Sequence, residues 1–331
     1  MTTSDTSTVL VTGGSGYLAT RLIADLLLAG TPVRTTIRSL DREGAVREAV
    51  RHGGADDAGL AFTVASLTDD DGWANAAAGV AGVYHLASPM IHSQDPDEVV
   101  PPARDGALRV LRAAVAAGVP RVVLTSSFAA VGYSPKPLNS SGAREYDESD
   151  WTSPDTADLP AYPLSKAVAE RAAWDVMEAE GGDTELVVVN PTWIAGPTLT
   201  SDARSSLQAF TAMLGGHMPL APRQRFGIAD VRDVASAHVS AMTTPVAAGK
   251  RYLVLADGPT VSWLGVADIV RARFPKLGSK VPTEEVPGDE PPPLVIHNER
   301  AKAELGMTYR SAEQTIVETV ESMRELGMLE E

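Results

Sequence analysis

Tyr162 and Lys166 stand four residues apart in the run Ala161-Tyr162-Pro163-Leu164-Ser165-Lys166, downstream of a serine pair, Ser126-Ser127. On a helix this spacing puts both side chains on one face. A phenol beside an ammonium can give its proton to a developing alkoxide, because the cation stabilises the phenolate left behind. Ser127, at the end of an expected strand, can donate a hydrogen bond to the same oxygen. Tyr-x-x-x-Lys alone arises often by chance: a helical tyrosine is usually core and a lysine usually solvated. The spacing gains weight from the serine pair, from the loop that precedes the tyrosine and from a second motif near the N-terminus.

That motif is Thr12-Gly13-Gly14-Ser15-Gly16-Tyr17-Leu18, which follows the apolar run 8–11 and opens a helix-like segment. Gly13, Gly16 and Ala19 take the small-residue positions of a dinucleotide-binding turn. The first permits a tight turn, the second lets backbone approach a pyrophosphate, and the third needs only a small side chain for helix-on-sheet packing. A helix starting there offers free N–H groups and its positive dipole end to phosphate. After the second strand an acid would accept from the adenosine ribose, but this chain has Arg38, with Ser39 and Arg42 following. A guanidinium matches a ribose 2′-phosphate, so NADP(H) is the expected cofactor, although Asp41 and Glu43 complicate the local charge.

These residues need a scaffold, and strand and helix signals alternate to supply one. Strands are expected at 8–11, 33–37, 61–65, 80–86, 121–126 and 186–190. Helices are expected at 16–29, 41–51, 69–78, 96–117 and from Tyr162 to about 180. This alternation predicts an α/β fold with a Rossmann-type, doubly wound parallel sheet. An irregular stretch is expected over 134–160. Residues 1–190 read as a dinucleotide-binding domain, rejoined by 228–256, where 231–243 looks helical and 251–255 looks like a strand. Residues 191–331 read mainly as a smaller C-terminal substrate-binding region. Five prolines make 282–293 a connector, and 311–326 forms an amphipathic helix with Ile316, Val320 and Met323 on one face.

Composition narrows the partners. A net charge of −15 repels nucleic acid and anionic lipid. The absence of cysteine excludes disulfides and thiolate sites, and no metal is expected. No run approaches the roughly 20 apolar residues of a membrane span, and residues 1–7 lack the pattern of a secretory signal. A soluble cytoplasmic protein is expected.

The combined motifs resemble the extended short-chain dehydrogenases/reductases, and within them the dihydroflavonol 4-reductase and cinnamoyl-CoA reductase branch, which includes microbial aldehyde and ketone reductases. The resemblance covers nearly the whole chain. Besides the segments above it rests on residues 83–89 (Val-Tyr-His-Leu-Ala-Ser-Pro), 190–197 (Asn-Pro-Thr-Trp-Ile-Ala-Gly-Pro), 230–235 (Asp-Val-Arg-Asp-Val-Ala) and 302–306 (Lys-Ala-Glu-Leu-Gly). It implies Ser127, Tyr162 and Lys166 as the catalytic set, with Ser126 the lesser candidate. It implies cofactor contacts from Gly13, Ser15, Gly16, Tyr17, Leu18, Arg38, Leu86, Ala87, Ser88 and Thr125, from Tyr162 and Lys166, and from the turn Pro191, Thr192, Trp193, Ile194. Three positions depart from the family, of which Ala19, at the third glycine of the turn, is benign. Ser66 stands where an aspartate near the adenine is common, leaving that contact to Ser66 or Leu67. Arg109 stands where relatives carry an asparagine that holds a proton-relay water, which puts the relay in doubt.

Substrate-facing candidates are Ser88, Met90, Phe128, Tyr133, Trp193, Met213 and Phe226, each of which could equally be core. They suit a hydrophobic aldehyde or ketone. A nucleotide-sugar epimerase or dehydratase is the main rival, since Arg204, Arg223 and Arg225 could face a second pyrophosphate. A non-catalytic NADP(H)-sensing regulator is a reading of another class, and hydroxysteroid oxidation is a variation in substrate. Homodimer and monomer both remain open.

Overall fold

The computed structural model describes residues 7–329 except 90, 92 and 203–205. Its elements in chain order begin with β1 (Val9–Val11), α1 (Tyr17–Leu28), β2 (Val33–Ile37), α2 (Glu43–His52), β3 (Leu60–Val64), α3 (Trp73–Ala77), β4 (Val83–His85), α4 (Pro96–Ala116) and β5 (Arg121–Thr125). Then come β6 (Arg144–Tyr146), α5 (Ala161–Glu180), β7 (Glu185–Pro191), β8 (Trp193–Ala195), α6 (Leu207–Leu214), β9 (Arg225–Phe226), β10 (Ile228–Asp230) and α7 (Val231–Thr243). The chain closes with β11 (Arg251–Val254), β12 (Val261–Ser262), α8 (Trp263–Arg273), α9 (Pro275–Gly278), β13 (Leu294–Ile296), α10 (Glu299–Leu305) and α11 (Ala312–Glu325).

Seven strands form one parallel sheet in the order β11-β7-β5-β4-β1-β2-β3. Side chains alternate across it, as a strand's pleat requires. Val9 and Val11 enter one buried cluster and Leu10 the other; Val123 enters the first, Val122 and Leu124 the second. Helices α1, α2, α7 and α10 cover the first face, and α3, α4 and α5 the second. Both faces are therefore apolar, which is why these strands read as continuous Val/Leu runs rather than as alternating ones. The chain is α/β and doubly wound, and β11 and α7 return to the sheet after the excursion through β8 to β10.

The smaller C-terminal region has its own core, in which Phe210, Trp263, Val266, Ile316 and Met323 are buried together. Helix α11 lays Ile316, Val320 and Met323 into it, and Ser311 caps the helix by accepting from the Gln314 N–H. Two expectations differ in detail. The helix foreseen over 69–78 begins only at Trp73, because Gly72 adopts a left-handed φ of +86° and the Trp73 indole donates to the carbonyls of Ser66 and Asp69. The irregular stretch 134–160 contains β6, whose parallel partner β13 lies far along the chain. Among the described residues no helix is long and apolar enough to cross a membrane.

Candidate active site

The sheet order reverses between β1 and β4, and in such sheets a crevice opens at the carboxyl ends of the strands where the order turns. The turn after β1 and the segment after β4 meet there. Gly13 has φ +72°, and a Cβ on it would come within 3.0 Å of the Ala87 Cα. Its N–H donates to Thr36 Oγ1 at 2.9 Å, and the Gly14 N–H donates to the Thr36 carbonyl. Thr12 Oγ1 accepts from the N–H groups of Leu86 and Ala87. With its lone pairs so used, the Thr12 hydroxyl must direct its proton to His85 Nδ1, 2.9 Å away. That pattern assigns His85 as the neutral Nε2–H tautomer, and burial, helped by the nearby Lys166 charge, pushes its pKa down to about 3.

Helix α1 starts from Gly16 with no side chain capping it, so its leading N–H groups face the crevice mouth beside Ser15. The side chain of Tyr17 turns inward, where its hydroxyl donates to the Gly196 carbonyl at 2.6 Å and its pKa is raised by burial and then by Asp230. Leu18 is likewise buried, so these two residues offer a ligand backbone rather than side chain. Arg38 follows β2 directly; it is exposed and has no hydrogen bond or ion pair among the described residues. Ser66 accepts from the Thr68 N–H in the turn after β3, and Leu67 packs on Gly106. Arg109 donates to the Leu67 carbonyl and to Asp70.

Helix α5 carries Tyr162 and Lys166. Tyr162 is 53% exposed, unusual for a tyrosine within a helix packed on a sheet. The Lys166 ammonium lies 5.8 Å from the Tyr162 ring centroid and donates to Ser88 Oγ at 3.1 Å. The phenol, the ammonium and the β4 end thus converge on the crevice. The two serines after β5 part company. Ser126 is buried and donates to Glu170 at 2.5 Å, while Ser127 is half-buried and extended (φ −162°, ψ 155°), and its hydroxyl accepts from the Ala129 N–H. Thr125 is held by a buried histidine: His238 Nδ1–H donates to the Val234 carbonyl, so Nε2 accepts from the Thr125 hydroxyl at 2.7 Å. Burial holds the His238 pKa down to about 4.

The expected substrate residues separate. Tyr133 is 38% exposed; withdrawal from water raises its pKa, with Tyr162 close enough to add to the shift and a Gln224 hydrogen bond opposing it. Phe128 packs against Tyr133 and Tyr146. Trp193 stacks on Phe210 at 4.7 Å and meets Phe226 edge-on at 4.9 Å, and both Trp193 and Phe226 keep partial exposure. Met213 takes the core alternative: it is fully buried among residues of α8 and α11 in the C-terminal core. Met90 lies outside the described residues.

The crevice fits a dinucleotide. Its turn is built so that a side chain at Gly13 would fill the space, the helix behind it is uncapped, and Thr192 Oγ1 is buried without a hydrogen-bonding partner in the turn after β7. A separate cavity of about 320 Å³ between α1, α7 and the segment 306–310 is polar, but its arginines Arg21, Arg232 and Arg310 are each ion-paired. Glu170, Arg251 and Gln224 carried no signal in the sequence, and Asn190 stood there only as the first residue of the 190–197 motif. Glu170 does continue the Tyr162–Lys166 helix face, but an acid on a helix ordinarily reads as solvated.

Comparison with known proteins agrees with this geometry. The profile of the NAD dependent epimerase/dehydratase family matches residues 9–255. Cinnamoyl-CoA reductase CAD2 of Medicago truncatula is 35% identical over 324 residues, covering 96% of this chain and 95% of that one. Yeast methylglyoxal/isovaleraldehyde reductase Gre2, solved in complex with NADPH, has a TM-score of 0.81 at 26% identity over 97% of this chain and 100% of that one. Vestitone reductase from alfalfa, Medicago sativa, has a TM-score of 0.77 at 27% identity over 98% and 100%. The chain belongs to the NAD dependent epimerase/dehydratase family and is, within it, an extended short-chain dehydrogenase/reductase of the dihydroflavonol reductase and cinnamoyl-CoA reductase type, an NAD(P)-dependent oxidoreductase.

Proposed function

We propose that this protein is an NADPH-dependent carbonyl reductase that converts a hydrophobic, aryl-bearing aldehyde or ketone to its alcohol, with Tyr162 as proton donor. One observation carries the reading: a half-exposed phenol shares a crevice with the Lys166 ammonium, which also bonds Ser88 at 3.1 Å, where the sheet order reverses. When bound, NADPH supplies the hydride for the carbonyl carbon. Tyr162 gives its proton to the carbonyl oxygen, Ser127 donates a hydrogen bond to that oxygen as charge grows on it, and Lys166 stabilises the phenolate. Gly13, Gly16 and the start of α1 would hold the pyrophosphate, and the exposed Arg38 would take the 2′-phosphate. That the Gre2 structure holds NADPH is in keeping with this choice.

Partly exposed Trp193 and Phe226 favour a flat apolar substrate group, and the Tyr133–Gln224 pair offers it a polar edge. The epimerase reading is weakened because Arg223 and Arg225 are both ion-paired with Glu290, at 3.0 and 2.6 Å, which leaves them poorly placed for a second pyrophosphate. Arg204, the third basic candidate, lies outside the described residues. A non-catalytic sensor would have no use for Ser127, Tyr162 and Lys166 together. The test is loss of NADPH absorbance across aryl ketones, aldehydes and keto esters, with product chirality measured. Net NADPH consumption on a carbonyl is expected; turnover of a UDP- or GDP-sugar without net consumption, and none on carbonyls, would reverse the assignment.

A further inference from the structure

Glu170 is a buried acid that the proposed chemistry leaves unused. It stands on α5 one turn beyond Lys166 and two beyond Tyr162, and its side chain is 0% exposed. A carboxylate so removed from water requires donors, and three other elements provide them. Ser126, just past β5, donates to it at 2.5 Å; Asn190, in β7, donates at 2.7 Å; Arg251, opening β11, donates through Nε at 2.5 Å. The same Asn190 amide nitrogen also donates to the Ser127 carbonyl at 3.1 Å. The Arg251 guanidinium continues outward to the carbonyls of Glu148 and Asp150 and lies 3.6 Å over the Trp151 ring. One carboxylate therefore gathers the strand end that bears Ser127 and, through Arg251, the segment that leads toward Tyr162.

Side-chain alternation gives this cluster a consequence. Successive residues of an extended segment point to opposite sides. Ser126 and Ser127 are chemically identical, so their sequence alone does not say which one faces the crevice. The short charge-assisted bond from Ser126 to Glu170 draws the first serine inward and so turns the second outward. A buried ion pair is a poor device for stability alone, because the desolvation of both charges offsets most of their attraction. An apolar pair of matching shape could hold the core there, but it could not choose between the two serines.

We infer that Glu170 is a positioning residue: its carboxylate, acting through Ser126 and Asn190, holds Ser127 in the direction that serves Tyr162. The reaction it serves rests on the reductase reading above; the placement of Ser127 does not. The test uses the full chain as Glu170→Gln and, as a milder variant that spares the Arg251 pair, Ser126→Ala, each combined with Ser127→Ala. Glu170→Gln should lower kcat by about ten- to a hundredfold, as small misplacements of a reacting group do, with NADPH affinity measured by fluorescence within about threefold of the parent. Because Glu170 acts through Ser127, the double variant Glu170→Gln/Ser127→Ala should be about as slow as Ser127→Ala alone. A merely structural role would make the two losses multiply, and that result would overturn the proposal. Hydrogen exchange followed by mass spectrometry gives a second readout independent of turnover. In Glu170→Gln and Ser126→Ala exchange should quicken in peptides covering 126–133 and leave α1 and α11 unchanged. Uniform quickening, or none, counts against the proposal. If the parent protein reduces no carbonyl, the exchange result still decides the placement of Ser127, and the reductase reading falls by itself.

Discussion

The two walls of the crevice are built in different ways. The wall we propose for the cofactor consists of strand ends and the turns that follow them, shaped by backbone and one buried hydroxyl: Gly13 against Ala87, Thr12 Oγ1 tying β1 to the β4 end, and an uncapped α1. The wall we propose for the substrate is made of side chains brought from separate elements, Trp193 on β8, Phe226 on β9, Tyr133 beyond β5 and Gln224 beside β9. A wall of backbone turns has one shape that many sequences share, because turn geometry admits few residues. A wall of side chains can be rebuilt one substitution at a time without disturbing the sheet. Recognition of the dinucleotide and choice of substrate should therefore be separable.

The largest break in that comparison is at Tyr162, which stands between the walls. Tyr162→Phe should lower kcat by about a hundredfold or more, the range of a lost general acid, while NADPH affinity by fluorescence titration stays within about threefold. Residual turnover within tenfold of the parent would remove Tyr162 from its role.

At the cofactor wall, Arg38→Asp should raise the KM for NADPH by about tenfold or more relative to that for NADH, since an acid would repel the 2′-phosphate and accept from a ribose hydroxyl. An unchanged preference would sink the Arg38 assignment. At the substrate wall, Phe226→Ala should change KM severalfold for aryl substrates and leave the KM for NADPH alone. A matching shift in both constants would show that the walls are not independent.

The smallest effect distinguishes the walls by acid. His85 and His238 are buried and neutral in the sheet half, with pKa values held down to about 3 and about 4 from a usual 6.5. The unfolded chain binds those protons first, so stability should fall as pH drops below about 6.5 and keep falling toward about 4. The slope approaches about 1.4 kcal/mol per pH unit for each histidine. Calorimetry from pH 7 to 5 should show the decline, and His238→Gln should make it shallower. A parallel curve for that variant would assign the acid sensitivity elsewhere.

Most of the sheet was legible because each strand of a doubly wound fold is a short apolar run closed by a turn, and α1, α2, α4 and α5 are long enough to show their period. β6 and β13 were not, since three residues paired with a distant partner leave no local pattern. Met213 stayed open between pocket and core for a related reason: an apolar residue in the C-terminal region suits both equally, and packing with α8 and α11 residues puts it in the core.

Residue types and spacing alone determined the chemistry available: a phosphate-binding turn, a phenol four residues from an ammonium, a cation after β2. These are local features, carried by backbone preference and helix periodicity within a few residues. That Ser126 and Glu170 are buried together rather than solvated was decided only when β5, β7, β11 and α5 came together, and the pairing of Arg223 and Arg225 with Glu290 only when the β9 region met the connector 282–293. Burial and pairing depend on neighbours far away in the chain, and no short stretch of sequence contains them.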